Sequence, residues 1–217
     1  MEKRNLGKTD IKLTSIGFGG APLGNLFEEL NETDCFNIVK SCFENNINLY
    51  DTSPLYGYGL SEHRIGNFIK NIDPKSYYLS TKVGRYLTPE RNYYKNGKFK
   101  GHINFIPNFD YSYDGVMKSF DQSIHRLAVP EIDICLIHDV DRYTFGNEVD
   151  HYFKIAMNGA YKALNDLKEQ KVIKAIGVGL NDADICTRFA NEGDFDCMLL
   201  AGRYTLLDQT ALDEFFP

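Results

Sequence analysis

Long apolar runs are missing from this 217-residue chain. Nothing in it approaches the ~20 apolar residues that a membrane-spanning helix needs, so no membrane partner is expected. Residues 1–9 carry Lys3, Arg4 and Lys8 without an apolar core, so no secretion signal is expected either. Cysteine is sparse: Cys35, Cys42, Cys135, Cys186 and Cys197 form no CxxC pair and no ligand spacing. They read as reduced core residues in a cytoplasmic protein. Positive charge is in deficit, with 24 Lys and Arg against 30 Asp and Glu and a formal net charge of −6. That balance argues against a general nucleic-acid surface. Low-complexity stretches and linkers are absent too, so the expectation is a single domain over residues 1–217.

What is present is ordinary globular material, 43% hydrophobic and 25% charged. A domain of this size buries roughly 70% of its unfolded surface, enough for a sizeable core. The chain is organised around residues 48–57, Asn-Leu-Tyr-Asp-Thr-Ser-Pro-Leu-Tyr-Gly, where a short apolar strand ends in Asp51 and Pro54 stops it from continuing. An acid and a phenol, Asp51 and Tyr56, therefore sit in a loop at the carboxyl end of a strand, where α/β enzymes keep their chemistry.

Residues 3–6 and 11–13 flank a Gly-Lys-Thr-Asp turn and read as a small N-terminal β-hairpin. A first strand over 15–20 is followed by a helix opening after Thr33 as N-cap, then a strand over 48–51 and a helix capped by Ser61. Strands over 77–83, 132–137, 172–178 and 195–201 follow, with helices over 113–127, 152–170 and from Asp182 to near Gly193. A last helix has barely begun at Pro217. Residues 84–110 are long for a plain connection and read as a functional or mobile loop. Six alternations with short, continuously apolar strands give an α/β fold with a parallel sheet.

Two architectures compete. A doubly wound sheet would place a nucleotide at Gly17-Phe18-Gly19, with Asp51 near the offset of a ribose-binding acid. Pro22 occupies the third glycine position, however, and about ten residues pass before the helix, which removes the helix N-terminus from the phosphates. A (β/α)8 TIM-barrel type instead gathers groups from the carboxyl ends of successive strands at one mouth. Asp51, Lys82, His138 and Asn181 end or follow four consecutive strands, as that fold requires.

The 17–24 glycine turn, Asp51-Thr52-Ser53-Pro54-Leu55-Tyr56-Gly57, Ser61-Glu62, Ser80-Thr81-Lys82-Val83 and Leu136-Ile137-His138 resemble, in order and spacing, the aldo-keto reductases. The resemblance covers essentially the whole chain. It implies a (β/α)8 barrel binding NADP or NAD, with Tyr56, Asp51, Lys82 and His138 as the catalytic set. It further implies hydride transfer between the nicotinamide and a carbonyl or hydroxyl carbon of a small aldehyde or sugar. Such a reaction must exchange a proton at the carbonyl oxygen. Tyr56 is the candidate donor and acceptor, with the Lys82 ammonium expected to favour its phenolate, Asp51 holding Lys82, and His138 hydrogen-bonding the substrate oxygen.

Candidate cofactor contacts are Gly20, Asp51, Asn181 and Arg203. Asn181 falls one residue from where the family commonly has Ser-Asn, and Ala201 replaces a common glutamine, with Gly202-Arg203-Tyr204 following. These details look like the branch of D-threo-aldose 1-dehydrogenases, L-fucose or L-galactose dehydrogenases and pyridoxal dehydrogenases. No metal is expected, because His138, Asp139 and Asp141 supply only one imidazole; His63, His102, His125 and His151 read as exposed. Aromatics of residues 84–110 are expected to stack on a sugar face. Only about six of the family's eight strands are present, so a C-terminally truncated barrel is expected. An inactive fragment, or a binding or regulatory member of the fold, is the alternative to an active enzyme.

Overall fold

The structure, a computed structural model, describes residues 1–92 and 97–216. It opens with an antiparallel hairpin of β1 (Lys3–Asn5) and β2 (Lys12–Thr14). Then follow β3 (Phe18–Gly19), α1 (Glu32–Glu44), β4 (Leu49–Asp51), α2 (Leu60–Ile69) and β5 (Tyr78–Val83). An antiparallel ribbon of β6 (Arg85–Pro89) and β7 (Phe105–Phe109) comes next, then α3 (Tyr113–Leu127) and β8 (Ile134–His138). The chain continues through α4 (Arg142–Phe145), α5 (Val149–Asn158), α6 (Ala160–Glu169), β9 (Ala175–Leu180), α7 (Ala183–Glu192), β10 (Cys197–Leu200) and α8 (Ala211–Glu214). Among the described residues, no helix is long and apolar enough to cross a membrane.

Six strands pair side by side, all parallel, in the order β10-β9-β8-β5-β4-β3. Sequence order is kept across the sheet, with helices in the connections, which is the winding of a (β/α)8 barrel rather than of a doubly wound sheet that reverses direction. Among the described residues the sheet has six strands, with β3 and β10 at its edges.

Strand side chains alternate between two environments. Cys135 and Ile137 of β8 pack with Ile176 and Val178 of β9 against the helices. Ile134, Leu136 and Ala175 face the other way and pack with Ile11, Leu6 and Leu13 of the hairpin, which plugs the amino-terminal end of the sheet. The opposite, carboxyl-terminal end is left for Asp51, Lys82 and His138. Register aligns Asp51 with Ser80, Lys82 with Leu136 and His138 with Gly179.

The helical layer is tied to the sheet by Glu62, which is fully buried. It accepts hydrogen bonds from Thr81 Oγ1 (2.8 Å) on β5 and Arg126 Nε (2.5 Å) on α3. Gly66 lets α2 approach α3 so closely that a Cβ there would lie 2.3 Å from the Leu127 carbonyl oxygen.

Several boundaries differ from expectation, each for a local reason. Asn31, not Thr33, caps α1, its side chain accepting from the Asp34 amide. Gly59, in the left-handed region at φ 100°, precedes α2 instead of Ser61. Ser61 lies inside the helix and donates to the Gly20 carbonyl. The expected 152–170 helix is two helices, broken at Gly159, where a Cβ would meet the Tyr111 carbonyl oxygen at 2.4 Å. The expected 172–178 strand begins three residues later, at Ala175. Residues 84–110 are not a plain loop but carry the β6–β7 ribbon, with Gln122 of α3 bonded to both the amide and the carbonyl of Leu87. The part of that segment on residues 93–96 lies outside the described residues. All five cysteines are free, three buried and two half-buried. His102 is buried rather than exposed, its ring 4.4 Å from that of Tyr58.

Candidate active site

Asp51 ends β4 and Lys82 lies near the end of the neighbouring β5, both on the inward face. Their side chains form an ion pair of 2.6 Å between Lys82 Nζ and Asp51 Oδ2, and Lys82 is only 2% exposed. Lys82 Nζ also donates to the Thr52 carbonyl (2.8 Å), and Ser80 Oγ donates to Asp51 Oδ1 (2.8 Å). The ammonium is thus held from two sides before it meets anything else. Burial drives the Lys82 pKa down, but the Asp51 carboxylate and the Tyr56 oxygen outweigh it and the net direction is up.

After Pro54 the chain makes a short 3₁₀ turn over Tyr56–Gly59, with Gly57 (φ 63°) and Tyr58 (φ 55°) left-handed. Gly24 packs directly on this turn, a Cβ at Gly24 falling 2.5 Å from the Gly57 nitrogen. The turn brings the Tyr56 ring to 4.8 Å from Lys82 Nζ. The expectation that Lys82 depresses the Tyr56 pKa is corrected here in its net sign. Burial raises it, the Lys82 ammonium lowers it, and burial wins, so the phenol is held above its ordinary value of 10.

His138 ends β8, its ring edge-on to Tyr56 at 5.9 Å and 85°. Its Nδ1 lies 3.1 Å from Ser53 Oγ, and its carbonyl accepts from the Tyr111 hydroxyl (2.6 Å). Burial and the nearby cations Arg85, Lys82 and Lys98 hold its pKa well below 6.5, so the imidazole is neutral. The next residue, Asp139, adopts φ 51°, uncommon for a residue with a Cβ. Asp139 accepts from Arg85 Nη2 (2.9 Å), and the Arg85 guanidinium lies 4.4 Å over the Phe109 ring. Arg85 Nη1 has no hydrogen-bond partner among the described residues. Burial pushes the Asp139 pKa up against the opposing Arg85 charge.

A cavity of about 620 Å³ opens over these groups. Tyr56, Lys82 and His138 form its floor together with Gly179, and Phe109, Tyr143, Asn181 and Arg203 contribute to its walls. Gly179 leaves a shelf: a Cβ there would come within 3.3 Å of Lys82 Cε. Asn181 Nδ2 donates to Asp141 Oδ2 (3.0 Å), and Arg203 Nε donates to the Asn181 carbonyl (2.6 Å). Gly20 lies elsewhere, packed against α2, where a Cβ would meet Ser61 Oγ at 2.7 Å. Asp139 and Asp141 are engaged with Arg85, and with Asn181 and the Thr144 amide.

The structure thus brings together Asp51, Tyr56, Lys82 and His138, with Asn181 and Arg203 across the cavity and Gly20 behind it. Sequence reasoning missed the Thr52 carbonyl, Ser53, Ser80 and the Arg85–Asp139 pair. The first two lie inside the same Asp-Thr-Ser-Pro run that gave Asp51 and Tyr56. Asp139 directly follows His138 at the end of β8, and Arg85 lies two residues past the end of β5.

Residues 15–217 match the model of the aldo/keto reductase family. The chain is 40% identical to pyridoxal 4-dehydrogenase of Microbacterium luteolum, covering 100% of this chain and 66% of that protein. It is 33% identical to D-threo-aldose 1-dehydrogenase of a Pseudomonas species, covering 95% of this chain and 62% of the relative. Among solved structures, the holo form of an aldo-keto reductase from Bacillus halodurans superposes with a TM-score of 0.67 at 24% identity, over 91% of this chain and 56% of that one. The chain therefore spans just under two thirds of the length of these curated relatives. With the family model matched over nearly its whole length, the chain belongs to the aldo/keto reductase family.

Proposed function

We propose that this chain carries the proton-transfer half of an NAD- or NADP-dependent oxidoreductase acting on a small aldehyde or sugar. The observation that carries the reading is the buried Lys82–Asp51 pair at 2.6 Å with Lys82 Nζ 4.8 Å from the Tyr56 ring, beside a neutral His138. The residues present fit a nicotinamide: the Gly179 shelf keeps the floor above Lys82 open, Asn181, whose Nδ2 is held by Asp141, keeps its side-chain oxygen for the carboxamide, and Arg203, paired with Asp208 at 3.2 Å, would turn to a phosphate. The bound dinucleotide supplies or accepts the hydride.

The chain's own groups handle the proton. In the reducing direction the Tyr56 hydroxyl gives its proton to the carbonyl oxygen as negative charge develops there. A phenol held above its ordinary pKa is fully protonated and ready to donate at neutral pH. Lys82 then stabilises the phenolate left behind, and Asp51 keeps Lys82 charged. His138 orients the substrate oxygen by a hydrogen bond, as an oxyanion-directed donor does. In the oxidising direction the same phenolate takes the hydroxyl proton back.

Similarity to pyridoxal 4-dehydrogenase and D-threo-aldose 1-dehydrogenase directs the substrate search toward aldehydes and aldoses. Phe109 on the β6–β7 ribbon and Tyr143 supply aromatic surface on the cavity wall for a sugar or pyridine face. The test is nicotinamide absorbance followed with pyridoxal, L-fucose, D-arabinose and a generic aldehyde. Turnover of at least one supports the reading, and cofactor binding without any turnover favours the binding or regulatory alternative. One observation stands behind that alternative: Leu199, on the cavity wall, is 42% exposed, so the β10 side of the site is open.

A further inference from the structure

We infer that Ser53 is a positioning residue that fixes the tautomer of His138, so that Nε2 carries the ring proton and faces the substrate oxygen. Ser53 is fully buried, and its Oγ has two neighbours within hydrogen-bonding distance. One is the Leu55 amide, which donates to Oγ at 3.1 Å; the other is His138 Nδ1, also at 3.1 Å.

A hydroxyl carries one proton and two lone pairs. The Leu55 amide occupies one lone pair, so the hydroxyl proton needs an acceptor, and Nδ1 is the acceptor within reach. Were Nδ1 protonated instead, Oγ would accept two N–H groups and its own proton would be stranded in a site closed to water, an arrangement buried polar groups avoid. Nδ1 is therefore the bare nitrogen and Nε2 holds the proton.

Nε2 is left free to act. Asp139 Oδ1 lies 3.4 Å away but does not make a hydrogen bond to it. The ring lines the cavity, and the other charged groups around it are Lys82, Arg85 and Lys98. These cations oppose a second proton on the ring, so the neutral state and the Ser53 bond act in the same direction.

The arrangement gives residues 51–56 a division of labour. Asp51 and the Thr52 carbonyl hold Lys82, Ser53 holds His138, and Tyr56 presents the phenol. One loop thus sets three of the side chains above the sheet in register with one another. The effect of Ser53 on turnover rests on the oxidoreductase reading; the tautomer does not, and it is read without turnover.

The test is NMR of the 217-residue chain labelled with ¹⁵N in its histidine rings, with His138→Gln used to assign the His138 signals. The expected spectrum has an imine-type Nδ1 and a protonated Nε2 for His138. In Ser53→Ala, which removes only the hydroxyl, the Nδ1 signal is expected to move toward the protonated type. Turnover of any substrate found is expected to fall about tenfold in kcat, the equivalent of one lost hydrogen bond. A protonated Nδ1 in the unaltered chain, or a His138 spectrum that Ser53→Ala leaves unchanged, overturns the inference. An inactive chain that shows the expected spectra contradicts the oxidoreductase reading and leaves the tautomer assignment standing.

Discussion

Lys82 and Asp51 face each other from adjacent strands at 2.6 Å, and the pair is closed off from water on the lysine side. Two charges in that position are costly apart and tolerable together. Removing one partner of a buried pair typically costs about 3–5 kcal/mol, because the other charge is stranded. Asp51→Ala is therefore expected to lower the unfolding free energy by about that amount, and Asp51→Ala with Lys82→Met to recover a large part of it. Urea denaturation of the three proteins measures this; equal stability of the single and double variants contradicts it.

Gly66 is predicted to be intolerant of even a methyl group. A Cβ there would stand 2.3 Å from a backbone oxygen of α3, an atom with no freedom to turn away. Overpacking of this kind costs about 1–3 kcal/mol or more. Gly66→Ala should lower the thermal midpoint, whereas Gly19→Ala, whose added Cβ would meet nothing within 4 Å among the described residues, should change it far less.

The pH dependence of reduction follows from two shifts with opposite signs. Tyr56 is raised above 10, so the proton donor stays protonated up to at least that pH. His138 is held well below 6.5, so it stays neutral down through that value. The rate of the chemical step should be flat between about pH 6.5 and about pH 10, with no inflection from either group. A pH–rate profile with a break near 7 contradicts this.

Stability has its own pH signature. The unfolded His138 binds a proton near pH 6.5 and the folded one only at lower pH, so below about 6.5 the unfolded state holds more protons and stability falls as pH drops. His138→Gln removes that contribution, and its stability should decline less steeply between pH 6.5 and 5. Parallel curves for the two proteins would contradict it.

Much of this fold is legible in the sequence because each parallel strand is a short apolar run ending in a group with chemistry. Leu136-Ile137-His138 and Ser80-Thr81-Lys82 point to the site directly. Residues 113–127 form a helix with the boundaries their periodicity implies, helped by the Ser112 cap. The rest depends on contacts between residues distant in sequence. The break at Gly159 is made by Tyr111 and Ser112 pressing on it, and nothing local in residues 152–170 announces that. The β6–β7 ribbon joins strands separated by fifteen residues and is anchored by Gln122 from a helix. Within the site, the residue types were readable, but the sign of the Tyr56 shift was not. A neighbouring lysine argues for a depressed pKa, and burial, aided by the carboxylates of Asp51 and Asp139, reverses it. The Ser53 contact with His138 is not legible in the sequence because the two lie 85 positions apart.

The central claim is that Tyr56 exchanges the proton. Its most direct test compares the chain with Tyr56→Phe, following nicotinamide absorbance with a substrate the chain turns over and cofactor binding by fluorescence titration. The phenylalanine variant should lose at least about a hundredfold in kcat, the usual share of a positioned acid–base group, and keep its cofactor affinity. An unchanged kcat in Tyr56→Phe would contradict the account.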